Sequence, residues 1–282
     1  MVDMDREFRS YYQRIKLSST NEDRLRRGRD ALRHRIKAWF INQGESAPKF
    51  CWQGSFAMKT AINLWGQGQQ YDIDDGIYLP YSKTDVTANQ VHSWIMKAVA
   101  SHTESIINKD TCVRVNYSAG YHIDLPIYVI DGGNAYLAHK TKGWVLSDPK
   151  AFRDWFIKKV KNNNEQLRRI VLYLKGWKTN CSIPLKGIEI TILVSSCYQG
   201  NQRDDESLYD TVSNIIETLN MHFSCVKPVP PYEDLFACIS ENRKSRILYG
   251  LYSLQKSLLL AQNTSSSIEA INSLKTKFGS AF

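Results

Sequence analysis

Apolar residues recur along this chain with two periods, and the change from one to the other divides it. Leu25, Leu32, Ile36 and Trp39 stand seven, four and three residues apart, the spacing that lines one face of a helix. Helices are predicted over residues 5–17 and 21–42, the second opening at Ser19-Thr20-Asn21-Glu22, where a capping hydroxyl precedes an acidic partner. The period then shortens toward two. Residues 50–56 lead into a Gly-Ser turn, and strands are predicted at 71–79, 111–117, 121–130 and 135–139, the last pair joined by the turn Asp131-Gly132-Gly133-Asn134. A short helix over 58–63 and a longer one over 88–107 interrupt them, and 65–70 reads as a glycine-containing loop. Those glycines do not follow a strand and open a helix, which excludes a dinucleotide-binding fingerprint. Beyond Asp148-Pro149, a good cap and first-turn pair, the helical period returns over 149–161, 164–179, 187–199, 205–222, 242–262 and 267–278. Lys227-Pro-Val-Pro-Pro-Tyr232 breaks that run. The expected plan is α+β: residues 1–147 form a mixed sheet flanked by helices, 148–282 form a helical lobe, and a cleft lies between them.

Three aspartates interrupt the apolar strands. Successive side chains of a strand point to opposite faces, so Asp72 and Asp74 share one face while Ile73 enters the core. A second strand repeats the design, with Ile123, Leu125 and Ile127 inward and His122, Asp124 and Pro126 outward. If the strands are neighbours, three carboxylates converge. Two carboxylates about 4 Å apart repel by roughly 4 kcal/mol at an effective dielectric of 20, which only protons or cations relieve. Oxygen-only ligation suits Mg²⁺ together with substrate phosphates, and two such ions, with Mn²⁺ as a substitute, serve phosphoryl or nucleotidyl transfer. Asp75 reads as a strand cap or a solvated carboxylate. Gly54-Ser55, upstream, suits the cradling of a polyphosphate: the glycine permits close backbone approach, and the hydroxyl and amides donate to phosphate oxygens. A helix over 58–63 would add its dipole, and Lys59 a charge.

Composition narrows the class. No apolar run approaches the roughly 18 residues that span a bilayer, and residues 1–10 are too charged for a secretion signal, so a cytoplasmic protein without membrane contact is expected. The cysteines at 51, 112, 181, 197, 225 and 238 are scattered, without the spacing of a zinc site or a disulfide framework. A net charge of +9 favours anionic partners. Much of it sits at Arg24, Arg26, Arg27, Arg29, Arg33, Arg35 and Lys37. Their simplest reading is the solvated face of one helix, with a nucleic-acid surface as the alternative.

Gln53-Gly54-Ser55-Phe56, Asp72-Ile-Asp74-Asp75-Gly-Ile-Tyr-Leu-Pro80 and His122-Ile-Asp124-Leu-Pro126 together resemble the bacterial cGAS/DncV-like nucleotidyltransferases of CBASS anti-phage defence, in their DncV-like branch. The resemblance implies a polymerase-β-like core with a C-terminal helical lobe and ATP and/or GTP as substrates. It also implies a cyclic oligonucleotide product, a dinucleotide in the first instance, that diffuses to a downstream effector. It carries over catalytic, metal-holding roles to Asp72, Asp74 and Asp124, and nucleotide contacts to Gln53, Gly54 and Ser55. Arg114 is implied near the acceptor nucleotide, Lys175 at the donor phosphates and Thr191 beside the nucleotide. From the residues alone, Leu167, Ile170, Val171 and Leu174 form a buried stripe with Lys175 at its edge, where a lysine can enter a cleft. Base identity and linkage stay open. An RNA-tailing or oligoadenylate-forming transferase is the alternative within the same chemistry. A catalytically dead nucleotide sensor is the other alternative, against which stand the three retained aspartates.

Overall fold

The computed structural model describes residues 2–63 and 71–282; the loop expected at 65–70 lies outside the described residues. In chain order the elements are α1 (Asp5–Ile15), α2 (Ser19–Asn42), β1 (Lys49–Gln53), α3 (Gly54–Ala57), β2 (Tyr71–Leu79), α4 (Ala88–Val99), β3 (Ser105–Asn108), β4 (Val113–Tyr117), β5 (Tyr121–Leu125), β6 (Ile127–Asp131), β7 (Asn134–His139) and β8 (Gly143–Leu146), followed by α5 (Pro149–Asn180), α6 (Gly187–Cys197), α7 (Asp204–Met221), α8 (Glu241–Asn263) and α9 (Ser267–Phe278). The strands form one mixed sheet in the order β3-β4-β5-β2-β6-β7-β8, with β1 also paired to β2.

Two hydrophobic clusters organise the molecule. One face of the sheet, with Ile73, Ile77, Ile123, Leu125, Ile127 and Val129, packs against Leu25, Leu32, Ile36 and Phe40 of α2 and against Val91, Ile95 and Val99 of α4. The second cluster joins α5 to α9 around Phe156, Tyr173, Trp177, Leu208 and Leu254. Phe8, Tyr11 and Ile15 place α1 in that second cluster, although α1 precedes the sheet in sequence. Asp204 fixes it there: its buried carboxylate accepts from Arg169 (2.6 and 2.8 Å) and Tyr173 (2.7 Å), while its backbone N–H donates to Asp5 (2.7 Å).

Local chemistry sets the boundaries. Ser18 caps α2, accepting from the Asn21 N–H, and Asp148 caps α5, accepting from Ala151 at 2.8 Å with Pro149 in the first turn. The break expected between 161 and 164 is a kink inside α5, where Asn164 stands at φ 61° and its side chain accepts from the Gln166 N–H. Two expectations are corrected. The helix over 88–107 ends at Val99, and the chain re-enters the sheet as edge strand β3. The helix over 58–63 does not form: a single turn lies earlier, at Gly54–Ala57, and Lys59 at φ 55° ends it. The dipole contribution expected of that helix therefore lapses. Among the described residues no helix is long and apolar enough to cross a membrane.

Candidate active site

The sheet face opposite α2 and α4 carries the carboxylates. β2 and β5 run parallel with Asp72 opposite His122 and Asp74 opposite Asp124. The same offset continues into β6, where Ile77 lies opposite Ile127. β5 and β6 are thus one strand beside β2, interrupted at Pro126, which has no N–H to give the ladder. On the other side β1 sets Gln53 opposite Asp74, and beyond β5, β4 sets Arg114 opposite Asp124. One row, Gln53–Asp74–Asp124–Arg114, therefore crosses four adjacent strands.

One ligand atom each from Asp72, His122 and Asp124 lies within 4.8 Å of the others. His122 Nε2 stands 3.6 Å from an Asp72 oxygen. Burial works against ionising Asp72, but the hydrogen bond and charge of His122, with Arg114 and Lys175, hold its carboxyl below the usual range. Asp74 is the opposite case. Burial, followed by repulsion from Asp72 and Asp124, pushes it up to about 8. Arg114 grips both oxygens of Asp124, at 2.7 and 2.6 Å. This donor set, carboxylate oxygens with one imidazole nitrogen and one carboxylate stranded by its neighbours' charge, fits a divalent metal ion.

Gly54 belongs to this arrangement. It stands at φ 65°, and a Cβ built on it would overlap the Asp74 Oδ2 and lie 2.9 Å from its Cγ. No other residue type lets the backbone pass so close to that carboxylate. Gln53 donates to the Tyr128 hydroxyl at 2.9 Å, lying over Gly76, where a Cβ would be 2.7 Å from the Gln53 Oε1. Two cavities meet here. The first, about 330 Å³, is lined by Asp74, Gly54, Ser55, Lys175, Gly187 and Thr191 among others. The second, about 300 Å³, is lined by Asp72, Ser55, Thr60, Lys175, Lys178 and Gly187 among others. Ser55, Lys175 and Gly187 are common to both.

The structure thus brings Gln53, Gly54, Ser55, Asp72, Asp74, Asp124, Arg114, Lys175 and Thr191 to one region. Arg114, expected at the acceptor nucleotide, is here held on Asp124. Thr191 is buried, its hydroxyl donating to Gly187 at 2.9 Å. Two participants were given no role in the site from the sequence. His122 had a legible signal, since it shares the outward parity of Asp124. Thr60, which holds Lys175, had none, because its partner lies more than a hundred residues away.

Asp75 is neither a strand cap nor solvated. Its odd parity turns it to the core face, where it is fully buried, and Arg33 pairs with both its oxygens, one at 2.6 Å. Burial raises the Asp75 pKa, and the Arg33 hydrogen bond and charge oppose that. Several other basic residues of α2 also make contacts within the fold, while Arg27, Arg35 and Lys37 are exposed. Arg26 and Arg29 lie over the Trp52 ring at 4.5 and 4.1 Å, Arg24 donates to the Tyr71 hydroxyl, and Arg35 donates to the Ala98 and Ala100 carbonyls at the C-terminal end of α4. Removing one member of a buried ion pair leaves the other uncompensated and costs about 3–5 kcal/mol. Arg33→Met is therefore expected to lower the unfolding free energy measured in urea by that much. Adding Asp75→Leu should recover most of the loss; a single variant as stable as the wild type would contradict the pairing.

With this geometry in place, comparison with known proteins is informative. Residues 48–128 match the family described as Cyclic GMP-AMP synthase DncV-like, nucleotidyltransferase domain. Proteins named Cyclic GMP-AMP synthase are similar to the chain: 29% identical over 187 residues in Escherichia albertii, covering 61% of this chain and 42% of that protein. In Vibrio cholerae the figure is 25% over 297 residues, covering 82% and 67%. The chain thus spans 42% of the first relative's length and 67% of the second's. Among solved structures, Vibrio cholerae DncV in complex with the linear intermediate 5′ pppA(3′,5′)pG superposes with a TM-score of 0.82 at 19% identity, over 97% of this chain and 96% of that one. Escherichia coli DncV in its 3′-deoxy GTP bound form gives 0.82 at 20%, over 99% and 97%. These likenesses establish the fold: a nucleotidyltransferase sheet with a helical C-terminal region.

Proposed function

We propose that the chain, which is similar to the cGAS/DncV-like nucleotidyltransferases over residues 48–128 and to cyclic GMP-AMP synthases over most of its length, is one of them and joins ATP and/or GTP into a cyclic dinucleotide with release of pyrophosphate. The observation that carries the proposal is the pair of cavities meeting at Ser55, Lys175 and Gly187, with Asp74 on one and Asp72 on the other. Ring formation needs two nucleotides held at once against the same carboxylates, and this arrangement supplies two compartments with a shared wall. The relatives named for cyclic GMP-AMP synthesis, and the solved relative holding a linear pppA(3′,5′)pG intermediate, support the same reading.

In this proposal Asp72, Asp74 and Asp124 hold two Mg²⁺ ions, with Mn²⁺ as a substitute. When bound, the ions neutralise the triphosphate and lower the pKa of the attacking hydroxyl. A hydroxyl oxygen of one nucleotide loses its proton to solvent and bonds to the α-phosphorus of the other, the bond to pyrophosphate breaks, and a second such step closes the ring. Gly54 and Ser55 present backbone amides and a hydroxyl to phosphate oxygens, Lys175 supplies a fixed cation, and Gln53 and Thr191 shape the cavity wall. Arg114, by donating to both oxygens of Asp124, orients that carboxylate on the shared face.

In this proposal the two lobes are residues 1–147 and 148–282, with α1 of the first packed into the core of the second. Free thiols at all six cysteines suit the reducing cytoplasm where ATP and GTP are found, and the diffusible product would reach an effector in anti-phage signalling. Part of the basic α2 that suggested a nucleic-acid acceptor is engaged internally, and it is the pair of cavities that favours cyclisation over tailing. The test is incubation of the pure chain with all four NTPs and Mg²⁺, followed by mass spectrometry after phosphatase treatment. A phosphatase-resistant cyclic product is expected. Linear, phosphatase-sensitive chains alone would establish the tailing alternative, and no product from protein that binds ATP would establish the sensor.

A further inference from the structure

Lys175 is a lysine with almost no freedom. It lies buried on α5, and its Nζ donates to both oxygens of one residue, the Thr60 carbonyl at 2.8 Å and the Thr60 hydroxyl at 3.0 Å. Its stem is confined on another side: a Cβ added to Gly187 would meet the Lys175 Cε at 3.5 Å and the Nζ at 3.8 Å. An ammonium has three N–H groups and no acceptor. Two are taken by Thr60, which leaves one.

Thr60 is itself fixed. It is fully buried, its N–H donates to the Ser55 carbonyl at 2.8 Å, and its hydroxyl reaches the same carbonyl at 3.5 Å. Lys59, just before it, is held at φ 55°, a conformation that residues with side chains rarely adopt and that the surrounding structure must enforce. The outcome is a relay from the Gly54-Ser55 turn through Thr60 to the only point where α5 presents a cation to both cavities.

We infer that Thr60 is a positioning residue, which aims the Lys175 ammonium at a substrate phosphate from the wall between the two cavities. The inference rests on the reading of Lys175 as a phosphate contact. Burial pulls Lys175 down to about 8, and two oxygens on its nitrogen favour the charged form that such a contact needs. A free lysine in the same place would spread its charge over many rotamers; one hydroxyl and one carbonyl reduce these to a single pose.

The experiment compares Thr60→Val, which keeps the shape and backbone carbonyl but removes the hydroxyl, with Thr60→Ser, which keeps the hydroxyl, and with Lys175→Met. The readouts are kcat and KM for ATP at saturating Mg²⁺, and the melting shift that ATP induces. Thr60→Val is expected to raise KM about tenfold, the size of one charge-assisted hydrogen bond, with little change in kcat and a smaller ATP-induced shift. Thr60→Ser should restore both. Should Thr60→Val fail to fold, Thr60→Ala is read by the same split. A lowered melting temperature with KM and the ATP shift unchanged would make Thr60 merely structural and overturn the inference. Equal impairment by Val and Ser would overturn it too, since the hydroxyl would then not be the agent. Lys175→Met with wild-type KM would remove the phosphate contact itself, and the inference with it. Impairment by Lys175→Met alongside a wild-type Thr60→Val would overturn only the role of Thr60.

Discussion

Asp74→Asn is expected to reduce turnover by at least about a thousandfold while leaving the metal-free protein no less stable than the wild type. The first half follows from position. Asp74 sits in the row between Gln53 and Asp124 and lines the larger of the two meeting cavities. Loss of a single preorganised electrostatic group commonly costs about 10²–10³ in rate, and a metal-holding carboxylate stands at or beyond that upper end. The second half follows from charge. Asp74 is pushed up to about 8 by burial and by Asp72 and Asp124, so an ionised Asp74 opposes folding.

The sign is fixed by linkage. A carboxyl whose folded pKa lies above its unfolded value of ~3.9 binds more protons in the native state between those values, so native stability falls as pH rises across that interval. In EDTA, the wild-type melting temperature should therefore decline from about pH 5 to about pH 8 relative to Asp74→Asn, which has no charge to lose. One kcal/mol corresponds to about 2–4 °C in a chain of this size class, so calorimetry resolves the difference. With Mg²⁺ and ATP the order should reverse, because ligation stabilises the wild type by mass action and the variant has lost a ligand. An Asp74→Asn protein that melts well below the wild type in EDTA would show that the carboxylate supports the fold instead of straining it. This is the pattern of a residue kept for function at the expense of stability.

Parity made much of this site legible before any coordinates. Alternation along an apolar strand was enough to put Asp72 with Asp74, and His122 with Asp124, on faces opposite to Ile73 and Ile123. What alternation cannot supply is the register between strands. Asp74 meets Asp124 only because β2 and β5 pair in parallel with no slip, a choice made by the whole sheet. Long-range partners are the same problem in another form. Asp75 had core parity, yet a lone acid is a poor core residue, and only Arg33 on a helix three elements earlier explains its burial. The edge strand β3 was read as helix because Ile106 and Ile107 extend the apolar run of α4. Pairing with β4 decided otherwise, and pairing is a tertiary fact. The helices of the C-terminal region were legible for the converse reason: caps and period-3.6 stripes are local.

Gly54→Ala should cost about a hundredfold in kcat, and its control is written into the same chain. Two penalties fall on an alanine at this position. The backbone at φ 65° disfavours any Cβ, by about 1–2 kcal/mol. In addition the new methyl would occupy the space of the Asp74 Oδ2, and the carboxylate has little room to withdraw, with Asp72 and Asp124 repelling it from beyond. Displacement of a catalytic group by about 1 Å is worth roughly 10² in rate. Gly133 separates the two effects. It holds a similar left-handed φ of 78°, but a Cβ there meets nothing within 4 Å, and it lies in the turn between β6 and β7. Gly133→Ala should therefore show only the backbone part of that loss of stability, with kcat near the wild type. Equal kcat values in the two alanine variants would mean that Gly54 is needed only for its backbone conformation. A rate loss confined to Gly54→Ala would mean that this glycine makes room for the carboxylate on which the chemistry depends.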